Sequence, residues 1–187
     1  MNKCEALIIG GSAGSLSVLL SVLPELREEL NFPVIIVLHR KPGKDSILTD
    51  LLSSKTKLRV KEVEEKEKIL NSTVYIAPPN YHLLIEKDRS FSLDASEKVN
   101  FSRPSIDVTF ESASEVFAEN NVCLLLSGAN SDGTAGLRKV KENGGMALVQ
   151  NPESAVAVFM PQNALQSVEI DEVLEVKNMG AFINNLN

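Results

Sequence analysis

Short runs of apolar residues alternate along this chain with segments whose apolar residues recur at helical spacing. Four of the runs are apolar at consecutive positions rather than at every second one, namely residues 6–9, 33–38, 122–126 and 146–149. A strand that is buried on both faces gives this continuous pattern, whereas a strand with one solvated face alternates. We therefore expect four central strands in a mostly parallel sheet.

Helices are predicted between these strands. The spacing predicts them over residues 16–23, where Pro24 interrupts the pattern, and over 46–52, 106–117, 134–142 and 159–167. Strands that alternate with helices define an α/β fold. The predicted architecture is a doubly wound, mostly parallel sheet with helices on both faces, in three layers, as a single domain over residues 1–187.

The middle and the end of the chain follow a different pattern. Residues 58–64 alternate apolar and charged positions, as an edge strand does, and 74–77, 83–86 and 91–93 are three further short strands. We expect this region to form a small antiparallel or mixed β insertion. A last strand is predicted at 173–176, and "NNLN" at 184–187 is expected to be frayed.

Composition narrows the class of function. The net charge is −6, which argues against nucleic-acid binding, because that function needs a basic surface to displace counterions. No apolar stretch approaches the length of about 20 residues that crosses a bilayer, and no leader peptide is recognised, so a cytoplasmic protein is expected. Cys4 and Cys123 lie in apolar runs and are expected to be buried free thiols. Their spacing fits no metal site, and no cofactor is indicated.

Three chemically active residues follow three of the predicted strands. Ser12 comes after the first, His39 after the second, and Asp132 after the third. In an open α/β sheet, ligands bind beyond the carboxyl ends of the strands. A serine, a histidine and an aspartate at that edge are the residues of a hydrolytic triad, in which a nucleophile, a base and an orienting acid cooperate.

The stretch "GGSAGS" at 10–15 could also be a phosphate-binding loop. However, no frame of it supplies G-x-G-x-x-G or G-x-x-x-x-G-K-[ST], and His39 stands where a ribose-binding acid would follow the second strand. A turn that presents Ser12, with glycines leaving room for backbone N–H groups near an oxyanion, is the favoured interpretation.

Structural roles remain open for each of these residues. Ser12 could be a helix cap, His39 a loop residue, and Asp132, which precedes a glycine, a turn residue. His82 is a rival base, but it begins a strand and is therefore expected at the opposite edge of the sheet. Asp107 is a rival acid, although its place in the first turn of a helix, with Ser105 as the cap, is explained by the helix dipole.

Several motifs of this chain, in a fixed order, resemble those of a known protein family. The motifs are "IIGGSAGS", "VLHR", "VYIAPPNYHLLI", "RPSIDVTFES", "LLLSGANSDGTAGL" and "VQNPESAVAVFMPQNAL". Over residues 6–176 the chain resembles the catalytic domain of CheB-type protein-glutamate methylesterases. The resemblance implies hydrolysis of glutamyl methyl esters on methyl-accepting chemotaxis receptors, with release of methanol and, in many members, deamidation of receptor glutamines.

The resemblance also assigns roles and partners. It implies that Ser12 is the nucleophile, His39 the general base and Asp132 the orienting acid, with no cofactor or metal. The receptors are the expected protein substrate, a receptor methyltransferase is a further candidate partner, and Arg103 is a candidate contact for acidic receptor side chains. Typical members carry an N-terminal receiver domain, so a stand-alone catalytic domain is expected here.

Some positions depart from the family pattern. Ala13 replaces the usual threonine or serine, Ser15 the usual glycine, Ala129 and Asn130 the usual methionine and glycine before the acid, and Phe159 a glycine. Two further functions therefore stay open: a weakly active or inactive receptor-binding adaptor of the same fold, and an esterase or amidase for small molecules.

Overall fold

The computed structural model describes residues 3–40 and 46–186. Within these residues the strands are β1 (Ala6–Gly11), β2 (Val34–Leu38), β3 (Arg59–Glu62), β4 (Thr73–Ile76), β5 (His82–Ile85), β6 (Phe91–Asp94), β7 (Asn121–Leu125), β8 (Met146–Gln150) and β9 (Glu172–Leu174). The helices are α1 (Ser15–Val22), α2 (Ser46–Ser53), α3 (Ile106–Phe117), α4 (Thr134–Glu142), α5 (Phe159–Ser167) and α6 (Val176–Asn184).

Seven strands form one parallel sheet in the order β3-β4-β2-β1-β7-β8-β9. The predicted parallel sheet is confirmed, but the predicted extent of the insertion is wrong. β3 is the edge strand of the main sheet and β4 lies between β3 and β2, while β5 and β6 form a separate antiparallel hairpin among the described strands. β3 alternates because an edge strand is only partly covered, whereas β4 is buried at every position and is short, and its pairing with β2 leaves no local pattern.

Helices cover both faces of the sheet. One apolar core packs α1, α2 and α6 against side chains such as Leu7 and Ile9 of β1, and a second packs α3, α4 and α5 against the intervening Ile8. Successive residues of a strand point to opposite faces, so β1, buried at every position, must be apolar throughout. The three-layer prediction is confirmed.

The end of the chain differs from the prediction. No helix was expected there, yet α6 packs against α1, and Met179, Ile183 and Leu186 are buried. The expectation of a frayed end is wrong for the residues described: Asn184 accepts a hydrogen bond from the Arg27 N–H (2.9 Å) and donates one to the Glu25 carbonyl (2.8 Å). Asn187 lies outside the described residues.

The order of the strands creates a crevice next to β1. The chain passes from β1 to β2 on one side, and later returns to β7 on the other side before continuing outward to β8. Beyond the carboxyl ends of β1 and β7, connections therefore leave in opposite directions. Such a switch point is the usual ligand-binding position in a doubly wound sheet.

Candidate active site

Ser12 lies in a tight turn between β1 and α1. Its N–H donates to the Ser127 carbonyl (2.9 Å), and its own carbonyl accepts from the Ser15 hydroxyl (2.6 Å). Gly14 closes the turn at φ +84°, and a Cβ there would approach Val156 to 2.5 Å, so this position requires glycine. The Ser12 side chain does not cap α1, whose N-cap residue is Gly14.

His39 is placed beside this turn by the register of the sheet. Gly11 of β1 pairs with Leu38 of β2, and the His39 N–H donates to the Gly11 carbonyl (3.1 Å). Ser12 and His39 are therefore the next residues along two adjacent parallel strands, which lie about 5 Å apart. Their side chains form no hydrogen bond with each other in the described part of the chain.

The His39 ring is joined to the acid. Its Nε2 lies 2.7 Å from Oδ2 of Asp132, and the histidine side chain is only 12% exposed. With an ionised carboxylate as acceptor, Nε2 carries the proton and Nδ1 is the basic nitrogen. Nδ1 lies 3.4 Å from the Ser102 hydroxyl.

Asp132 is fully buried and accepts several hydrogen bonds besides that of His39. The donors are the Ser105 hydroxyl (2.8 Å), the Asn100 amide (3.0 Å), and the backbone N–H groups of Ile106 (2.7 Å) and Asp107 (3.2 Å). Burial by itself raises the pKa of this carboxyl, but the hydrogen bonds outweigh it and hold the pKa at about 2. Asp132 is thus an anion at neutral pH.

The same contacts explain why α3 begins where it does. Ser105 is the N-cap residue of α3, as expected, but its side chain makes no capping bond. Asp132, from a different part of the chain, binds the first N–H groups of the helix instead. Because a helix N-terminus favours a negative charge, α3 and Asp132 stabilise each other, and Asp132 is more than a turn residue.

The rival residues have other partners. His82 Nδ1 accepts from the Ser105 N–H (3.1 Å) and Nε2 lies 2.9 Å from the Glu97 carbonyl, so both ring nitrogens are occupied. The expectation that it lies at the opposite edge is wrong, because it supports the segment that binds Asp132. Asp107 accepts from the Gly136 N–H (2.6 Å). Burial, together with the charge of Asp132, raises the pKa of Asp107 to about 6.

Two residues that the sequence patterns did not single out hold the site together. The buried Ser127 hydroxyl donates to the Ala13 carbonyl (2.7 Å) and accepts from the Ala157 N–H (2.9 Å), which links the Ser12 turn to the segment before α5. Asn100 donates to Asp132 and Asp107. Serine and asparagine are common in loops for many reasons, so no periodic signal marked either residue.

The positions that depart from the family pattern are structurally accommodated. Ser15, in place of glycine, uses its hydroxyl to close the Ser12 turn. Asn130 accepts the Asp132 N–H (3.1 Å) through its side chain and so fixes the acid loop. Ala13 and Ala129 each have a backbone N–H without an acceptor among the described residues. Phe159 begins α5 and is 53% exposed.

A cleft with a volume of about 330 Å³ opens beside His39. The cationic side chains that line it are Arg40, Lys98 and Arg103, and the almost fully exposed ring of Phe101 stands at its rim. Arg40 is paired with Glu62, while Arg103 donates to the Ala95 carbonyl (2.6 Å). The local charge is therefore positive although the whole chain is acidic.

Two structural features bear on cofactors and membranes. Among residues 3–40 and 46–186, no group of three or more histidine, cysteine, aspartate or glutamate side chains is arranged to hold a metal ion. In the same residues, no helix has the length and apolar character needed to cross a bilayer.

Cys4 and Cys123 are buried free thiols, as expected, and burial raises the pKa of Cys4 to about 12.

A doubly wound sheet with serine, histidine and a buried aspartate at its switch point is typical of serine hydrolases of the α/β class. The comparisons with known proteins specify the family. The CheB methylesterase family model matches residues 7–183, and the chain belongs to this family.

Two relatives and a solved structure support this family assignment. The chain is 46% identical over 182 residues to a putative protein-glutamate methylesterase/protein-glutamine glutaminase of Leptospira interrogans, covering 97% of this chain and 94% of that protein. It is 34% identical to a protein-glutamate methylesterase/protein-glutamine glutaminase of Thermotoga maritima, covering 91% of this chain but only 50% of that longer protein. The crystal structure of the Thermotoga maritima CheB methylesterase catalytic domain superposes with a TM-score of 0.94 at 32% identity, covering 98% of this chain and 99% of that one.

Proposed function

We propose that this protein hydrolyses γ-glutamyl methyl esters on chemotaxis receptors, yielding glutamate and methanol, with Ser12, His39 and Asp132 as its catalytic residues. The observation that carries the proposal is the hydrogen bond between a buried, ionised Asp132 and Nε2 of His39, which lies at the strand end next to Ser12. Deamidation of receptor glutamines at the same site is the companion activity, since an amide carbonyl is attacked in the same way.

The reaction proceeds by acyl transfer. His39 Nδ1 takes the proton of the Ser12 hydroxyl as Oγ attacks the ester carbonyl carbon, and the imidazolium then protonates the departing methoxide. Asp132 orients the ring and stabilises its positive charge. Water attacks the glutamyl-enzyme by the same route and regenerates Ser12. The hydrogen bond between Ser12 and His39 forms when substrate is bound, as catalytic hydrogen bonds often tighten only in the Michaelis complex.

The negative oxygen of the tetrahedral intermediate needs hydrogen-bond donors. The backbone N–H groups of Ala13 and Ala129 are the candidates, because neither has an acceptor among the described residues. Backbone donors do not depend on the side chain, so the alanines at these positions are compatible with turnover. One such donor contributes on the order of 3 kcal/mol to transition-state stabilisation.

The cleft beside His39 suits a protein substrate rich in glutamate. Lys98 and Arg103 give it positive charge, which attracts the carboxylates that flank a methylated residue. Phe101, at 96% exposure, offers an apolar surface for the neighbouring receptor side chains. A small-molecule esterase would need neither feature.

Methanol release from methylated receptor membranes tests the proposal. Wild-type protein should release methanol, and Ser12→Ala should lower the rate at least about a thousandfold, because the nucleophile is lost. Ser21→Ala, which removes an exposed hydroxyl on α1, is the matched control and should retain the wild-type rate.

The possible outcomes separate the alternatives. If Ser12→Ala keeps its activity, the assignment of the nucleophile is wrong. If wild type releases no methanol but sediments with receptor membranes, the protein is an adaptor of the same fold. Hydrolysis of small esters without any response to receptors would instead indicate a small-molecule esterase.

A further inference from the structure

The turn that precedes α3 makes an unusual pair of contacts. The side-chain amide nitrogen of Asn100 lies 2.7 Å from Oδ2 of Asp107 and 3.0 Å from Oδ1 of Asp132. A neutral amide thus donates to two carboxylates at once. Both carboxylates are largely buried, and they come from separate elements, α3 and the loop before α4.

Two buried carboxylates so close together repel each other when both are ionised. Their mutual repulsion is reflected in the pKa of Asp107, which burial and the charge of Asp132 raise to about 6. The side-chain amide of Asn100, which donates to both carboxylates, offsets this repulsion. It also holds Oδ1 of Asp132, which leaves Oδ2 directed at His39 Nε2.

The backbone places Asn100 for this task. Asn100 and Phe101 adopt φ values of 50° and 61°, and Val99 and Ser102 exchange backbone hydrogen bonds of 3.2 and 2.9 Å. Asparagine is one of the few residues with a side chain that tolerates this left-handed conformation. The turn therefore combines a conformational need with a functional amide.

We propose that Asn100 is a positioning residue for the hydrolytic reaction, which holds Asp132 oriented towards His39 by bridging it to Asp107. The proposal rests on the proposed function above. Asn100 does not touch the reacting atoms, and it acts through Asp132 and His39. Its loss should impair the step that develops charge on the imidazole and leave the binding of the ester unchanged.

Further charged and titratable groups surround the two carboxylates. His39 contacts Asp132 directly, His82 reaches it through the backbone of Ser105, and Arg138 of α4 lines the same cleft as Asp107. Among Asn100 and these groups, it is the Asn100 amide that hydrogen-bonds to both carboxylates.

Two substitutions distinguish the role of the Asn100 side-chain amide from the need for a residue that tolerates positive φ at this position. Asn100→Gly keeps the freedom to adopt positive φ and removes the donor, whereas Asn100→Asp keeps the size and adds a third carboxylate. For Asn100→Gly we expect kcat to fall about tenfold with KM unchanged, as for a lost interaction with the transition state. Asn100→Asp should lower kcat further, because a third carboxylate then replaces the donor beside Asp132 and Asp107.

Asn143→Ala provides a matched control. Asn143 is another loop asparagine, which donates to the Ser114 hydroxyl (2.9 Å) at the far end of α4, so its loss should affect stability without lowering kcat. If both Asn100 variants lose thermal stability as Asn143→Ala does and keep the wild-type kcat, the amide is only structural and the proposal is wrong.

A measurement that requires no enzymatic activity tests the role of Asn100 independently of the proposed function. The chain contains two histidines, so their ring nitrogen resonances can be followed by NMR. We expect wild-type His39 to hold its proton on Nε2 at neutral pH, and Asn100→Gly to populate both tautomers. An unchanged tautomer in Asn100→Gly contradicts the inference even if the wild-type protein proves inactive on receptors.

Discussion

At the scale of single residues, Ser127 shows how the site depends on a side chain without a chemical role. Its hydroxyl lies between the Ala13 carbonyl and the Ala157 N–H, at 2.7 and 2.9 Å. The Ser12 turn is thereby tied both to the end of β7 and to the segment that leads into α5. Because Ser127 itself is fully buried, loss of its hydroxyl would remove both bonds, and an N–H that loses its partner is unfavourable.

Ser127→Ala should therefore reduce both stability and rate. We expect a loss of about 1 kcal/mol in the free energy of unfolding, because the partly buried Ala157 N–H loses its acceptor. The kcat for methanol release should fall about tenfold, since displacement of a reacting group by 1 Å reduces rates by this order or more. Urea unfolding and the receptor assay measure the two effects. A stable variant with normal kcat would show that the Ser12 turn is positioned by its backbone alone.

The sequence indicated Ser12, His39 and Asp132 but not their supporting residues. Ser12 and His39 stand immediately after buried strands and Asp132 lies in the loop that follows β7, where the topology of parallel sheets brings separate segments to one edge. Asn100 and Ser127 gain their importance from neighbours that are 32 and 30 residues away along the chain, Asp132 and Ala157. No local pattern records such contacts.

At the scale of elements, α6 stabilises the face of the sheet opposite to the α3 and α4 layer. Val176, Met179 and Ile183 follow helical spacing, and the last two are fully buried. The helix packs closely on the turn after α1, since a Cβ on Gly180 would approach Glu25 to 2.2 Å. The helix was missed because Gly180 and two asparagines lower the helical propensity of this short segment.

Met179→Ala tests the importance of this helix. Removal of a fully buried methionine side chain should lower the free energy of unfolding by about 2–5 kcal/mol. The kcat of the protein that remains folded should stay at the wild-type value, because α6 does not reach the site. Lys177→Ala, an exposed position on the same helix, serves as the control and should leave stability within about 0.5 kcal/mol. Equal stability of both variants would mean that α6 contributes little to the fold.

At the scale of the whole molecule, the carboxylates of Asp132 and Asp107 make stability depend on pH in opposite directions. Asp132 has a pKa lowered to about 2 from 3.8, so its contribution is present above about pH 4 and is lost as the pH falls towards 2. Asp107 has a pKa raised from 3.8 to about 6. Its protonated form is favoured in the folded state, so its contribution is present below about pH 4 and is lost as the pH rises towards 6.

Asp107→Asn isolates the second effect. As the pH rises from about 4 to about 6, the wild-type protein should lose about 2–3 kcal/mol of unfolding free energy relative to the variant, because only the wild type ionises a buried carboxyl. Urea unfolding of both proteins at several pH values measures this difference. A constant difference at every pH would reflect lost hydrogen bonds only and would contradict the raised pKa.

The sequence by itself determined the class of fold and the candidate triad. Continuous apolar runs report strands that are buried on both faces, helical spacing reports the covering layers, and the residue after each strand must lie at the carboxyl edge. The motifs around Ser12, His39 and Asp132 also indicated the family.

Tertiary structure alone decided how these residues are held. The register of Gly11 with Leu38 places His39 beside Ser12, the N-terminus of α3 binds Asp132, and Asn100 bridges Asp132 to Asp107. It also decided that β3 and β4 join the main sheet and that the last residues form α6. These features depend on contacts between distant parts of the chain, and their energies arise only when the sheet has brought those parts together.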